Sequence, residues 1–309
     1  MDLVELALTL GEVPGIGPRT LAAVLRRGAV LRLAPDDVLR LPAGDLASAL
    51  GIHRPAAEAL ASSGSRLAAR AAQDARMLRR AGVRVVTLLD ATYPRALLSR
   101  LDDPPPVVFA SGDLSVLERP LFAVATSNDA PEAALRAGDA AAEAAVAAGW
   151  APLTGHNRVA YQRPALVARR HGAPIGFVLD RGIAEAFGGD YRRDLFAALR
   201  IWPGAERADR DLALSTFGIR DHGSVLNNRR RDALIFALSQ AVFATCVRPR
   251  GEMERHCLRA LRSGRPVYLV GGNGGASEPL ARAGAAALDP LASNAVCAAL
   301  QTVALGTPP

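Results

Sequence analysis

Lysine is absent from this 309-residue chain, so all 37 of its basic residues are arginine. Aromatic residues make up only 5% of it, which leaves Ala, Leu, Val and Ile to build most of any core. Cysteine is scarce as well. Cys246, Cys257 and Cys297 are odd in number and never spaced Cys-x-x-Cys, which excludes a disulfide framework and a cysteine zinc site. The five histidines, His53, His156, His171, His222 and His256, show no metal-ligand spacing, and there is no P-loop or Gly-x-Ser-x-Gly elbow. No catalytic residue, metal or cofactor is therefore assigned. No run approaches the roughly 20 apolar residues of a membrane span. The N-terminus carries acid where an export signal needs bases. The expectation is a cytoplasmic protein with no membrane partner.

What is present is positive charge. The net charge of +7 calls for a polyanionic partner. Arginine grips phosphate bidentately where lysine acts as a point charge. A genome rich in G and C would also replace lysine by arginine, so the net charge bears on function more directly than the choice of base.

The chain divides by pattern. Residues 1–80 read as a small helical module, with helical spacing in Val4–Leu10, Thr20–Leu25, Val38–Leu41 and Ala56–Ala61 and a longer helix over Ser65–Arg80. Residues 81–106 hold a strand, Val83–Leu89, and a connector, Leu101–Pro106, whose prolines exclude helix. From 107 to 290 short apolar strands alternate with helices. The strands are expected at Val107–Phe109, Phe122–Ala125, Ala151–Leu153, Ile175–Leu179, Leu212–Thr216, Ala241–Thr245 and Val267–Val270. The helices are expected at Pro131–Ala148, Pro164–Arg170, Tyr191–Leu199, Asn228–Ser239 and Glu252–Arg262. Residues 291–309 form a last helix, Leu291–Ala304, and a tail. The alternation predicts an α/β fold: a Rossmann-like, mostly parallel sheet with helices on both faces. In such a sheet ligands bind beyond the carboxyl ends of the strands.

The first motif is Val13-Pro14-Gly15-Ile16-Gly17-Pro18-Arg19-Thr20, between two helical patterns. It resembles a helix-hairpin-helix element. There Gly15, Ile16, Gly17, Arg19 and Thr20 would offer backbone N–H groups and a helix start to a DNA phosphate. The same turn serves elsewhere as a packing corner or a protein-docking surface.

The second is a series of landmarks: Asp90-Ala91-Thr92-Tyr93-Pro94, Asp103-Pro104-Pro105-Pro106-Val107-Val108-Phe109, Arg231-Asp232-Ala233-Leu234-Ile235, and Gly264-Arg265-Pro266-Val267-Tyr268. In this order the chain resembles the DNA-processing protein A (DprA, or Smf) family over nearly its whole length. The resemblance implies a Rossmann-like domain that binds single-stranded DNA without sequence preference. It also implies a role in DNA processing, natural transformation and recombination, with the RecA recombinase as a partner and self-association as a homodimer.

The strand ends depart from the family pattern. The family's Gly-Ser/Thr-Arg is replaced by Thr126-Ser127-Asn128-Asp129, which removes a cation and adds an acid. Gly155-His156-Asn157-Arg158 stands in the next turn, and only Arg231 survives of an Arg-Asn-Arg signature. Asn228, Arg229 and Arg230 supply donors just upstream. The expectation is that Arg158, Arg220, Arg229, Arg230, Arg231, Arg248 and Arg250 gather at one sheet edge and offset the arginine missing at Asn128. The competing expectation is solvated arginines paired with Asp221, Asp232 and Glu252. A third motif, Gly271-Gly272-Asn273-Gly274-Gly275-Ala276-Ser277-Glu278, resembles the phosphate loop of LOG-type nucleoside-phosphate hydrolases, but it follows the wrong strand and lacks their proline and threonine. Three readings stand: a single-stranded DNA binder without enzymatic activity, an enzyme or sensor for a nucleotide derivative, and a scaffold that binds only protein.

Overall fold

A computed structural model describes residues 1–201, 209–271 and 278–304. The chain forms two compact units, Met1–Ser111 and Gly112–Pro309.

The first unit opens with α1 (Leu3–Gly11), whose start is fixed by reciprocal capping between Asp2 and Glu5. Then come α2 (Pro18–Val30), α3 (Pro35–Arg40), α4 (Ala43–Ser48) and α5 (Arg54–Arg80). The separate helices expected at Ala56–Ala61 and Ser65–Arg80 are one continuous α5. The Ser62-Ser63-Gly64-Ser65 run reads as punctuation, but Ser62 and Ser63 donate back to the Ala59 carbonyl, and Gly64 lets Leu60 and Leu39 lie close. β1 (Val83–Thr87), α6 (Arg95–Arg100) and β2 (Val107–Gly112) follow, with β1 and β2 antiparallel. The family landmarks here are structural ties. The Asp90 carboxylate accepts from the Thr87 N–H at 2.6 Å, and the buried Tyr93 hydroxyl donates to the Pro105 carbonyl at 2.7 Å. The Tyr-Pro segment thus pins the proline connector.

The second unit runs β3 (Leu121–Thr126), α7 (Glu132–Ala147), β4 (Ala151–Thr154), α8 (Val159–Arg170), β5 (Gly176–Val178), α9 (Ile183–Phe187) and β6 (Leu212–Ser215). It continues with α10 (Val225–Leu238), β7 (Ala241–Cys246), α11 (Glu252–Arg262), β8 (Val267–Val270), α12 (Glu278–Arg282), β9 (Ala286–Leu288) and α13 (Ser293–Ala304). Strands β3 to β9 pair in parallel in the order β6-β5-β4-β3-β7-β8-β9. This is the expected Rossmann-like α/β sheet. The few aromatics are used at its centre, where Phe243 lies 5.6 Å from Phe122 and 5.8 Å from Tyr268, ring centre to ring centre.

Two further element expectations are corrected. Tyr191–Leu199 is not an α-helix: Gly188 and Gly189 take left-handed φ values of +59° and +90°, and only a 3-10 turn, Ala197–Ile201, follows. Helix α8 starts at Val159 rather than Pro164, because burial of Tyr161, Pro164 and Ala165 on one face outweighs the N–H that Pro164 lacks. β9 was not foreseen. It is a three-residue edge strand, largely exposed, and too short to show alternation.

Candidate nucleic-acid interface

The order of strands reverses between β3 and β7: from β3 the chain moves outward through β4, β5 and β6, then returns to lay β7 on the other side of β3. A crevice opens beyond the carboxyl ends of strands at such a point. The protein has a cleft of about 250 Å³ there, lined by Thr126, Ser127 and Asn128 after β3 and by Arg248 after β7. The N-terminal halves of three helices complete it: the N-cap Arg158 and Tyr161 of α8, Val225, Asn228, Arg229, Arg231 and Asp232 of α10, and the N-cap Gly251 with Glu252 and Met253 of α11. Three helix starts therefore bring partial positive charge to one place, those of α8 and α11 without a side-chain cap and that of α10 capped by Ser224, which accepts from the Asn227 N–H at 3.1 Å.

The loop backbones are tied to each other. The Ser127 N–H donates to the Cys246 carbonyl at 2.7 Å, and the Arg248 N–H donates to the Ser127 hydroxyl at 2.8 Å. Thr126 and Thr245 share a buried hydroxyl–hydroxyl bond of 2.9 Å. This lattice holds Ser127, Asn128 and Arg248 at the mouth.

Arg231 behaves differently from the other cations. It is 1% exposed, and its donors are spent inside the wall. Nε donates to Asp232 at 2.9 Å, Nη1 to the side-chain oxygens of Asn157 and Asn228 at 2.8 and 3.0 Å, and Nη2 to the Tyr161 hydroxyl at 3.0 Å. Its guanidinium also lies 4.3 Å from the centre of the Tyr161 ring, and the Tyr161 hydroxyl donates to Asp232 at 2.8 Å. Asn157 continues the network to Asp180 at 2.5 Å. Arg231 therefore lines the cleft as a structural cation whose donors are spent tying α8 to α10, not as the free phosphate contact expected.

The remaining cations reach the surface. Arg158 donates to the side-chain oxygen of Asn128, a neutral partner. Arg248 pairs with Asp129 at 2.7 Å, which holds that carboxyl below its ordinary pKa, and Arg229 pairs with Glu252 at 3.4 Å. Arg158, Arg229 and Arg248 converge on one cleft, and two of the three face an acid. Exposed pairs of this kind contribute little stability, so a phosphate can displace them. Arg220, Arg230 and Arg250 do not line the cleft; Arg250 sits at the rim with a left-handed φ of +59°, and its backbone N–H is held by Glu254.

Gly155 and His156 are buried behind the wall, and Asn157, although exposed, does not line the cleft. A side chain at Gly155 would sit 3.2 Å from the Tyr161 ring, so glycine permits that ring's approach to Arg231. His156 is 9% exposed, with Nε2 3.9 Å from Asp180 and Nδ1 without a hydrogen-bond partner. Burial, with help from Arg181 and Arg231 and against Asp180, pushes its pKa down to about 4. Unfolding returns it to about 6.5. The unfolded chain therefore binds a proton between pH 6.5 and 4 that the folded chain does not, and stability falls as pH falls through that window. The expected share of His156 is roughly 3 kcal/mol between pH 7 and 4. Denaturant titrations at both pH values check it: His156→Leu should show a shallower acid loss than the parent, and equal losses would refute the assignment.

Tyr161, Val225, Gly251 and Met253 are cleft residues that reading the sequence did not single out. The signal for Tyr161 was its i,i+3 spacing from Arg158, visible only once α8 is extended back to Val159. In the hairpin of the first unit Ile16 is buried, Gly15 takes a φ of +87°, and Arg19 is doubly hydrogen-bonded to Asp103. The Gly15, Gly17 and Arg19 surfaces are exposed and Thr20 is half-buried. Of the glycine-rich motif, residues 272–277 lie outside the described residues. Among the described residues no cluster of His, Cys, Asp or Glu could hold a metal, and no helix is long and apolar enough to cross a membrane.

A parallel sheet with its cleft at the reversal of strand order defines a doubly wound α/β protein, here preceded by a helical unit. Within that class the chain has the fold of DNA processing protein A. It superposes on DprA from Streptococcus pneumoniae with a TM-score of 0.69 and 20% identity, over 96% of this chain and 98% of that one. It also matches DNA processing protein A from Helicobacter pylori, whose structure concerns its single-stranded DNA binding mode, with a TM-score of 0.56 and 14% identity, over 72% of this chain and 98% of that one. The resemblance read from the sequence is thereby matched at the level of fold. No protein-family model and no curated protein matches the sequence.

Proposed function

We propose that this protein binds single-stranded DNA through its phosphates in the cleft between β3 and β7, without enzymatic activity, in DNA processing. The observation that carries the reading is the convergence of Arg158, Arg229 and Arg248 with three helix starts on one cleft. The cleft, about 250 Å³ and half open to solvent, does not enclose a ligand as typical small-molecule sites do. A nucleotide-derived ligand is the weaker reading on that ground. Hand-over to RecA, a role in transformation, homodimer formation and a cytoplasmic location belong to the same proposal, as does an auxiliary backbone contact at Gly15–Thr20.

Anisotropy of a labelled oligonucleotide at two ionic strengths tests it. Three phosphate contacts give a slope of log affinity on log salt near −2 for a single strand, at about −0.7 per contact. Absence of binding at low salt would remove the proposal. Saturable thermal stabilisation by a mononucleotide, without a response to DNA, would put the nucleotide reading in its place.

The acids make a second prediction. Asp129 holds Arg248 in the position that a phosphate must take. Asp129→Asn is expected to tighten oligonucleotide binding several-fold at low salt, because the strand no longer competes with a resident carboxylate. Unchanged affinity in the same titration would show that Arg248 does not meet the strand.

A further inference from the structure

The first unit concentrates its positive charge on one segment. Residues 59–89 contain six arginines and one acid, Asp74, a net +5, whereas the rest of Met1–Ser111 contains eight arginines against ten acids. Asp74 is buried, so the exposed surface of this stretch carries no acid of its own.

Helix α5 explains the arrangement. Its core face is set by Leu60, Gly64, Ala71, Ala75 and Leu78. At 100° per residue, Arg66, Arg76 and Arg80 fall on the opposite face, and all three are exposed. From Arg66 to Arg80 the stripe is about 21 Å long at 1.5 Å per residue. The exposed residues between them, Ala69 and Gln73, are small or neutral and leave room for close approach. Arg84 of β1 is also exposed.

Neighbouring arginines show what pairing looks like on this helix. Arg79 is bound to Asp2 at 2.9 Å, and Arg70 lies 3.6 Å from Glu12. Those two fasten α5 to α1 and its following turn. Among the described residues no acid lies within 4 Å of Arg66, Arg76, Arg80 or Arg84, although the unit is otherwise rich in acids. A row of uncompensated guanidinium groups, each able to bond phosphate oxygens bidentately, matches a polyanion with regularly repeated charge.

We infer that the outer face of α5 is a second nucleic-acid surface, separate from the cleft, that takes the phosphodiester backbone without reading bases. Single strand and duplex present the same chemistry, and the experiment separates them. The full-length Arg66→Gln/Arg76→Gln/Arg80→Gln protein is titrated with a labelled 40-nucleotide single strand and with a 40-base-pair duplex across salt concentrations. Glutamine keeps the helix propensity, and far-UV circular dichroism checks that the fold is intact.

The expected result is about a ten-fold loss of affinity at low salt for at least one of the two DNA forms. The salt slope should become shallower by about 2 for the single strand, or by nearly 3 for the duplex. Unchanged affinity and slope on both DNAs would overturn the inference. So would a loss confined to vesicles containing phosphatidylserine, which would mark a lipid surface. An Arg158→Gln/Arg248→Gln protein run in parallel keeps the two surfaces distinguishable. If it binds like the parent while the α5 variant does not, the cleft reading fails and the α5 surface stands.

Discussion

Arg231→Ala is expected to cost about 3–5 kcal/mol of folding stability, the range for removing one partner of a buried ion pair. The reason is what the substitution leaves behind. The buried Asp232 and Tyr161 hydroxyl lose their cation, and the side-chain oxygens of the exposed Asn157 and half-buried Asn228 lose a donor. Each of the two buried groups left stranded carries a desolvation cost that native contacts no longer offset. Lysine should not rescue it, since one ammonium cannot reproduce the planar fork that serves four residues. Denaturant unfolding measures the effect. A midpoint within experimental error of the parent's would mean that the network is not structural, and would return Arg231 to the list of phosphate contacts.

Arg158→Gln/Arg229→Gln/Arg248→Gln should do the reverse, leaving stability nearly unchanged and removing most single-strand binding. Arg229 and Arg248 are exposed and Arg158 is half-buried, and their contacts with Glu252, Asp129 and Asn128 lie at the surface, where ion pairs add little to stability. Three lost phosphate contacts at about 1 kcal/mol each correspond to roughly a hundred-fold loss at low salt. The residual salt slope should flatten by about 2. Because phosphates carry no sequence information, the loss should be equal for purine-rich and pyrimidine-rich strands. A loss confined to one base composition would point to base contacts elsewhere in the cleft, and no loss at all would empty the cleft of its proposed role.

The contrast between these variants shows where a linear reading reaches its limit. Arg229, Arg230 and Arg231 are consecutive and chemically identical, and nothing in their neighbours in the chain separates them. The turn of α10 sends Arg231 inward against Tyr161 while Arg229 faces the cleft and Arg230 the solvent. Arg231's role depends on Asn157 and Tyr161, some seventy residues earlier, so only the packing of α8 on α10 reveals it. Likewise Asp129 is visible in the sequence as an unwelcome acid after β3. That it holds Arg248 follows from the pairing of β3 with β7.

The alternation of short apolar strands and helices was sufficient to determine the α/β class, and most strands lie where hydrophobic runs place them, because burial on both sheet faces demands continuous apolar segments. The landmarks from Asp90 to Tyr268 were sufficient to point to the DprA fold, since Tyr93 and the Asp90 turn act locally and leave a local signature. Which guanidinium groups are buried, which are paired and which face a ligand was decided by tertiary structure alone. Charge is a property of a residue, but its availability is a property of the groups that folding brings within about 4 Å of it.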